Sequence, residues 1–310
     1  MAREVVLAGG AFNSPQLLML SGTGPRDRSP RWVSRWRLRS RASVETCRIA
    51  TRSALFHEEP RPWACLRNAR FAAGDPGYRE WLAGGGMYIS NGAAVAFALR
   101  SNPRKTSPDS SVTALVTRFS GYFPAYSDVI RDSRDDLTFA VLKAHTNNTA
   151  GSVTQRSRDP RDPPRIDFRY VEEGNDQSGG DLAAVVEGIR RFRKMPERLR
   201  SMGLLHDEDT PGAELQDNEQ LGRFVREHAW GHHASCTCAI GRPDGGGVLS
   251  SDFRVHGTHG LRVVDASAFP RIPGFFIACA TFMIREKAAD AILEAAKTTP
   301  KDPSRGDVDA

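Results

Sequence analysis

The chain has 310 residues, of which 39% are hydrophobic and 26% are charged. This length is enough for a large core and allows two domains. No stretch approaches the roughly 20 consecutive apolar residues of a membrane helix, so we expect no membrane span. The N-terminus has too short an apolar run for a signal peptide, and five cysteines do not make a disulfide framework. We therefore expect a reducing, cytoplasmic location by default.

The net charge of +6 is concentrated in one segment. Residues 26–52 hold nine arginines and two acidic residues, a local charge of +7, with Trp32 and Trp36 among the arginines. Arginines mixed with aromatic residues suit a nucleic-acid surface, and they equally suit an irregular solvated insertion. Because no nucleic-acid motif accompanies the segment and it has neither helical nor strand periodicity, we favour the insertion and expect no nucleic-acid partner.

The first 24 residues predict a strand, a glycine turn and a helix. The apolar run 5–8 is followed by the glycine pair 9–10. The helix is expected to begin at residue 13 or 14, with Pro15 in its first turn, and to end at Gly22. Such a turn can bring backbone N–H groups to a ligand, and tight packing of a strand on a helix explains it equally well.

Residues 56–225 alternate between strand and helix patterns. Apolar and β-branched runs predict strands at 137–142, 151–155 and 166–170. Apolar positions at helical spacing predict a helix over 181–195, whose apolar side is assigned to the core. A further helix is predicted over 218–228.

The chemistry-bearing residues lie near the C-terminal end. His232, His233, Cys236 and Cys238 occupy a turn flanked by Gly231 and Gly241. Their spacing alone predicts that the two histidines are ordinary residues of a turn. Paired zinc ligands usually have two to four residues between them, so the Cys-x-Cys pair predicts packed side chains and no metal site. A strand over 261–264 then ends in a carboxylate, and a helix is expected from about residue 276.

These stretches resemble the glucose-methanol-choline (GMC) family of flavin-dependent alcohol oxidoreductases. Residues 10–24 are similar to the second GMC signature, with Thr23 in place of an aliphatic residue. Residues 233–241 resemble the catalytic stretch His-x-x-Gly-Thr-Cys-x-Met-Gly, with Cys236 for glycine and Ile240 for methionine. Residues 262–267 and 286–290 also match in order and spacing. The resemblance corresponds to the C-terminal half of a full-length member.

The resemblance implies an FAD cofactor and oxidation of the CH–OH group of a small-molecule alcohol, as in choline dehydrogenase. It assigns His233 as the general base, since a neutral imidazole has a pKa near working pH. His232 is a secondary candidate. It further implies that the flavin is lined by Gly9, Gly10, Ala11, Asp265 and Ala266.

Two departures from the family leave an alternative open. The family's second catalytic side chain, a histidine or an asparagine, falls near position 276, where this chain has Phe276. No Gly-x-Gly-x-x-Gly follows a strand, although that loop holds the pyrophosphate of FAD. A missing N-terminal dinucleotide-binding half would explain this absence. The alternative is a truncated, non-catalytic remnant that does not hold FAD.

The sequence thus predicts a mixed α/β (α+β) protein with an incomplete FAD-binding region and a substrate domain. Residues 1–24 and 226–298 are expected to meet in space as the FAD-binding region. Residues 56–225 are expected to form the substrate domain, with a mixed sheet and helices. Residues 25–55 are the Arg-rich insertion, and residues 299–310 form a tail.

Overall fold

Strands and helices follow each other in mixed order along the chain, which confirms the mixed α/β fold class. The computed structural model describes residues 4–24, 48–54, 63, 66–70, 72–90, 92–171, 174–203, 205, 208–231 and 233–298. The strands are β1 (Val5–Leu7), β2 (Arg48–Ala54), β3 (Ala93–Leu99), β4 (Ser110–Leu115), β5 (Asp136–Lys143), β6 (Ser152–Thr154), β7 (Arg165–Asp167), β8 (Glu208–Thr210) and β9 (Leu261–Val263). The helices are α1 (Gly10–Leu20), α2 (Tyr78–Leu82), α3 (Tyr126–Asp132), α4 (Gly180–Lys194), α5 (Glu197–Ser201), α6 (Asn218–His228) and α7 (Ala278–Thr298).

These elements divide between two units. The first unit comprises the described parts of 1–44, 150–168 and 233–310, and the second comprises those of 45–149 and 169–232. Residues 150–168 therefore group with the first unit, whereas the sequence prediction placed them in the substrate domain. The predicted tail, 299–310, lies outside the described residues. No helix in the described ranges is long and apolar enough to cross a membrane.

The first unit contains a parallel pair of strands. β1 and β9 pair from Val5 opposite Leu261 to Leu7 opposite Val263. Because the strands are parallel, their carboxyl ends lie at the same edge, which brings the glycine turn after β1 beside the residues after β9. The core beneath them includes Leu18 of α1 and Ala288 of α7. β6 and β7 form a separate antiparallel pair in this unit.

Helix α1 begins earlier than the sequence predicts. It starts at Gly10, so Asn13 and Ser14 are not its caps, and Pro15 lies inside it. The predicted end at Gly22 is confirmed: this residue has a left-handed φ of 82°. Its N–H donates to Met19 O, and the next N–H, of Thr23, donates to Leu18 O. This pair of hydrogen bonds is the Schellman motif, which favours glycine at that position.

The second unit contains a five-stranded antiparallel sheet with strand order β3-β4-β5-β2-β8. The predicted strand 137–142 is confirmed as its central strand, β5. Val141 of β5 and Ile189 of α4 are completely buried in one core cluster. A Cβ at Gly188 would lie only 2.6 Å from Val141 Cγ1, so this glycine lets the helix approach the sheet closely.

The prediction of an irregular insertion is wrong for its C-terminal part. Residues 48–54 form β2, which pairs with β5 from Arg48 opposite Leu142 to Ala54 opposite Asp136. Partners about ninety residues further along the chain stabilise this strand, so local periodicity did not reveal it. Residues 25–47, including the tryptophans and most of the arginines, lie outside the described residues.

A buried ion pair joins the ends of the sheet strands. Lys143 Nζ lies 2.7 Å from Asp109 Oδ2, and the two side chains are only 1% and 7% exposed. Burial tends to raise the pKa of Asp109, but hydrogen bonds from Lys143 and Ser101 outweigh it and lower the pKa from 3.8 to about 2. The charged carboxylate is therefore the form that the fold stabilises.

We predict that Asp109→Asn lowers the free energy of unfolding by about 3 kcal/mol near neutral pH, because it leaves Lys143 buried without its counter-charge. The folded pKa is depressed, so this contribution is complete above pH 3.8 and is lost as the pH falls to about 2. Between pH 3.8 and about 2, the free energy of unfolding measured with urea should change less with pH in the variant than in the parent protein.

The control is Lys105→Gln. Lys105 Nζ lies 3.7 Å from the same carboxylate oxygen, but its side chain is 46% exposed. Its loss should therefore change stability by less than about 1 kcal/mol. Equal effects of the two substitutions would contradict the importance of the buried pair.

Candidate active site

The carboxylate of Asp265 holds the two strand ends together. Its Oδ2 accepts hydrogen bonds from the Gly10 N–H at 2.9 Å and from the Ser14 hydroxyl at 2.5 Å. Its Oδ1 accepts from the Ser267 N–H at 2.8 Å. The charge also lies at the N-terminus of α1, where the partial positive charge of the helix stabilises an anion. Asp265 is 8% exposed, so its carboxylate is nearly closed to water.

The two glycines of the turn have different surroundings. A Cβ at Gly9 would lie 3.1 Å from Asn13 Cβ and 3.2 Å from Ser14 N, so Gly9 allows close packing. Gly10 has a φ of +80°, and a Cβ there would meet nothing within 4 Å. The turn is therefore tightly packed at Gly9 and open at Gly10, where another molecule can approach the backbone.

The segment that follows His233 is hydrogen-bonded to the turn after Asp265. Three N–H groups of this segment, from Cys236, Cys238 and Ile240, donate to Ala266 O, Ser267 O and Ala268 O at 3.1, 2.9 and 3.0 Å. Residues 266–268 form a single 3-10 turn. The histidine-bearing segment is thereby fixed to the end of β9.

Cys236 adopts a backbone conformation that favours glycine. Its φ is +67°, in the left-handed region. This explains why the motif that the sequence resembles has glycine at this position, since a Cβ there is unfavourable by roughly 1–2 kcal/mol. The chain nevertheless makes the same turn, because the hydrogen bonds on either side hold it.

Thr237 connects this segment to α1. Pro15 has no N–H, so it cannot donate to the carbonyl of Ala11 one helical turn earlier. The completely buried hydroxyl of Thr237 donates to that carbonyl at 2.7 Å. A threonine side chain thus satisfies the acceptor that the proline leaves open.

His233 lies against Phe276. Their ring centroids are 5.8 Å apart and the rings are nearly perpendicular, with an interplanar angle of 77°. His233 is half-buried and Phe276 is 50% exposed. The phenyl ring contacts the imidazole but can neither donate nor accept a proton. His232 lies outside the described residues.

Comparison with known proteins shows which family the sequence matches. A family profile described as GMC oxidoreductase matches residues 147–284. Residues 147–284 thus match the C-terminal part of the GMC oxidoreductases, the family that the sequence motifs resemble. The oxygen-dependent choline dehydrogenase of Yersinia pseudotuberculosis serotype IB is 30% identical over 295 residues, which cover 94% of this chain and 49% of that protein. The mitochondrial choline dehydrogenase of Mus musculus is also 30% identical, over 94% of this chain and 48% of that protein.

Solved structures agree on the fold. One solved structure is a variant of the formate oxidase of Aspergillus oryzae RIB40, made to study the effect of a mutation on FAD modification. It has a TM-score of 0.78 with this chain at 22% identity. The alignment covers 96% of this chain and 55% of that one. The chain therefore spans about half the length of the choline dehydrogenases and of the oxidase that it matches.

Among the residues described, Cys236, Cys238 and Cys279 form no disulfide, and Cys236 and Cys238 are buried. Burial raises the pKa of the Cys238 thiol to about 12. The thiol stays protonated at neutral pH, whereas zinc and nucleophilic chemistry both need a thiolate. Within the described ranges, no group of three or more His, Cys, Asp or Glu side chains is placed to hold a metal ion.

The structure brings several residues implied by the resemblance into one network. Gly10 and Asp265 are joined directly, and Ala266 and Ala11 are linked to the histidine segment through Cys236 and Thr237. Sequence analysis missed the roles of Ser14 and Thr237. Pro15 could have predicted a role such as that of Thr237, because a proline inside a helix leaves one carbonyl that needs another donor. Nothing local distinguishes Ser14 from a helix cap.

We predict that Thr237→Val lowers the free energy of unfolding by about 2 kcal/mol, because the Ala11 carbonyl loses its donor while buried. The control is the same substitution in a Pro15→Ala background. Alanine restores a backbone N–H that can donate to Ala11, so the effect of losing the hydroxyl should fall by about 1 kcal/mol. A double-mutant cycle measured by urea unfolding gives this coupling directly, and a coupling near zero would contradict the pairing.

Proposed function

We propose that this chain provides the flavin-facing strand end and the catalytic histidine of an FAD-dependent oxidoreductase that acts on the CH–OH group of an alcohol. The observation that carries the proposal is the Asp265 junction. It joins the open turn at Gly10 to the strand end, and that strand end is hydrogen-bonded to the segment following His233. The choline dehydrogenase relatives support the same class of reaction.

The described residues fit a flavin at this junction. A Cβ at Gly10 would meet nothing within 4 Å, which leaves open space beside this residue, and Ala266 has only a small side chain. We assign Gly9, Gly10, Ala11, Asp265 and Ala266 to this surface, with Asp265 acting mainly by holding the turn in place. Bound FAD would supply the acceptor for the hydride.

His233 would accept the hydroxyl proton of the alcohol. Its imidazole, when neutral, would take the proton of the alcohol oxygen, and loss of the hydride from the alcohol carbon would leave a carbonyl product. Phe276 lies edge-to-face against the imidazole, but it cannot share the proton. His232 stays the secondary candidate for this role.

The predicted domain functions follow the same proposal. Residues 1–24 and 226–298 would form the part that holds FAD, and residues 56–225 the part that receives the alcohol. The alternative is a non-catalytic remnant that does not hold FAD. Phe276 is the observation that favours it, because the residue against His233 cannot hydrogen-bond to a substrate.

The decisive experiment is the visible spectrum of the purified protein after addition of FAD and removal of unbound cofactor. We expect retained flavin absorption and anaerobic bleaching by an alcohol, tested with choline and benzyl alcohol. His233→Asn should retain the flavin but slow bleaching by about a hundredfold or more, the usual effect of losing a general base.

The control for this substitution is His259→Asn, which changes an exposed histidine of the same unit and should leave the rate unchanged. A protein that retains no flavin supports the remnant. A His233→Asn variant that bleaches at the parental rate removes His233 from the mechanism.

A second prediction concerns Phe276. Phe276→Asn places an amide against His233 that can hydrogen-bond to the alcohol oxygen, so flavin reduction should accelerate on the order of tenfold. Phe276→Leu removes the ring without adding a polar group and should not accelerate it. Since Phe276 is half-exposed, neither change should unfold the protein. Equal rates in both variants would contradict a role for hydrogen bonding at this position.

A further inference from the structure

Positive charge is concentrated on the second unit at the end of α4 and in the short helix α5. Residues 187–203 hold six basic and two acidic residues, a local charge of +4. The whole chain carries +6 and residues 26–52 carry +7, so the rest of the chain sums to −1. The charge of residues 187–203 is therefore a local feature, and the other residues outside 26–52 are acidic on balance.

A second basic stretch lies beside the first. The turn between β3 and β4 contains Arg100, Arg104 and Lys105, and residues 100–105 include no acidic residue. The guanidinium Nη1 of Arg191 donates to the carbonyl of Arg100 at 3.4 Å, which joins this turn to α4. The two stretches thus form one surface with nine basic and two acidic residues.

Most of these basic side chains face water. Arg193 is an exception, because its Nε lies 2.7 Å from Oε2 of the buried Glu208. Arg191 pairs with Glu187 at 2.9 Å, but the two side chains are 42% and 43% exposed. An exposed pair of this kind is weak, so the guanidinium stays available to another anion. Seven of the nine basic residues are exposed: Arg100, Arg104, Lys105, Arg190, Arg191, Lys194 and Arg198.

Large apolar side chains are exposed among these charges. Met195, Leu199 and Met202 are 46%, 39% and 61% exposed. Met195 and Pro196 keep helical backbone angles between α4 and α5, so this spacing places the three side chains on one side. Phe192 and Pro196 are buried on the opposite side.

The helix dipole explains only part of this surface. Basic residues in the last turn of α4 stabilise the negative end of that helix. The dipole gives no reason for the basic turn between β3 and β4, nor for apolar side chains in water. Arginine and lysine mixed with exposed apolar residues are instead typical of segments that lie at the interface of a lipid bilayer.

We propose that this basic–apolar patch, formed by residues 100–105 and 187–203, binds the surface of a membrane that contains anionic phospholipids. The arginines and lysines would lie at the lipid phosphates. Met195, Leu199 and Met202 would enter the boundary between the headgroups and the acyl chains. The inference concerns the second unit alone and does not depend on flavin binding or on the proposed catalytic histidine.

The rival ligand is a nucleic acid, which also attracts arginine and lysine. Proteins that grip single strands add aromatic side chains on which the bases stack. The basic–apolar patch contains one aromatic residue, Phe192, and its side chain is buried. The exposed side chains that accompany the charges are aliphatic or thioether groups, which favours a lipid surface.

The test is co-sedimentation of the full chain with two kinds of vesicle, pure phosphatidylcholine and phosphatidylcholine mixed with phosphatidylglycerol. We expect binding to the anionic vesicles, weaker binding as salt is added, and no measurable binding to the neutral vesicles. Equal binding to both kinds, or no binding to the anionic kind, would overturn the proposal.

A pair of charge substitutions locates the binding. Lys194→Gln combined with Arg198→Gln should weaken binding about tenfold or more, because each charge near an anionic surface contributes about fivefold. The control combines Arg285→Gln with Lys297→Gln. These substitutions remove the same two charges from α7 of the first unit, where the side chains are 62% and 73% exposed. The control should keep the parental affinity, and an equal loss in both pairs would contradict a local site.

A second pair of substitutions tests the apolar contribution without changing the charge. Leu199→Ser combined with Met202→Ser should weaken binding to the anionic vesicles about fivefold or more. The control combines Leu293→Ser with Met283→Ser on α7, whose side chains are 62% and 72% exposed, and should bind as the parent does. Because all the substituted residues are exposed, circular dichroism should show the parental helix content in every variant.

The same variants separate the two ligand classes. Residues 26–52 are unchanged in all of them, so their arginines cannot cause a difference between a variant and its control. Parental affinity in the Leu199→Ser and Met202→Ser double variant would overturn the membrane proposal. So would a single-stranded RNA that binds as tightly as the anionic vesicles, since it would identify the surface as a nucleic-acid site.

Discussion

One buried carboxylate determines the geometry of the candidate active site. Asp265 accepts hydrogen bonds from a turn 255 residues earlier in the chain and from the turn that follows it. Without this carboxylate the half-buried N–H of Gly10 and the buried hydroxyl of Ser14 would lose their acceptor, which is costly. The parallel pairing of β1 and β9 brings the strand ends to one edge, and the carboxylate then fixes their separation. The segment after His233 is attached to this edge by backbone hydrogen bonds.

Two of the residues at which the chain departs from the motifs it resembles, Cys236 and Phe276, lie in this same region and have different consequences. Cys236 keeps the shape of the turn, because hydrogen bonds hold its backbone in a conformation that glycine would adopt more easily. Phe276 keeps a ring against His233 but removes the capacity for a hydrogen bond. The first substitution therefore affects stability, whereas the second affects the proposed chemistry.

Sequence patterns predicted the elements whose stability is local. Helix α6 has the predicted bounds, because Asp217 and Gln220 form a capping box and its apolar residues follow helical spacing. The end of α1 was predicted for a similar reason, since Gly22 adopts the left-handed conformation that ends a helix. Strand β2 was missed because its partners are distant in sequence. The start of α1 was misplaced because Ser14, a good cap by composition, bonds instead to Asp265.

The sequence by itself determined the residue types at the candidate site: a histidine in a glycine-flanked turn, a carboxylate after a buried strand, and a phenylalanine where a hydrogen-bonding residue was expected. Only the tertiary structure decided which of these groups touch. In the structure Phe276 contacts His233, and the hydroxyl of Thr237 donates to the carbonyl of Ala11. The space where a Cβ would lie is filled at Gly9 and open at Gly10. The physical reason is that hydrogen bonds and ring contacts depend on distances of a few ångströms between segments that are far apart in sequence, and no local pattern encodes such distances.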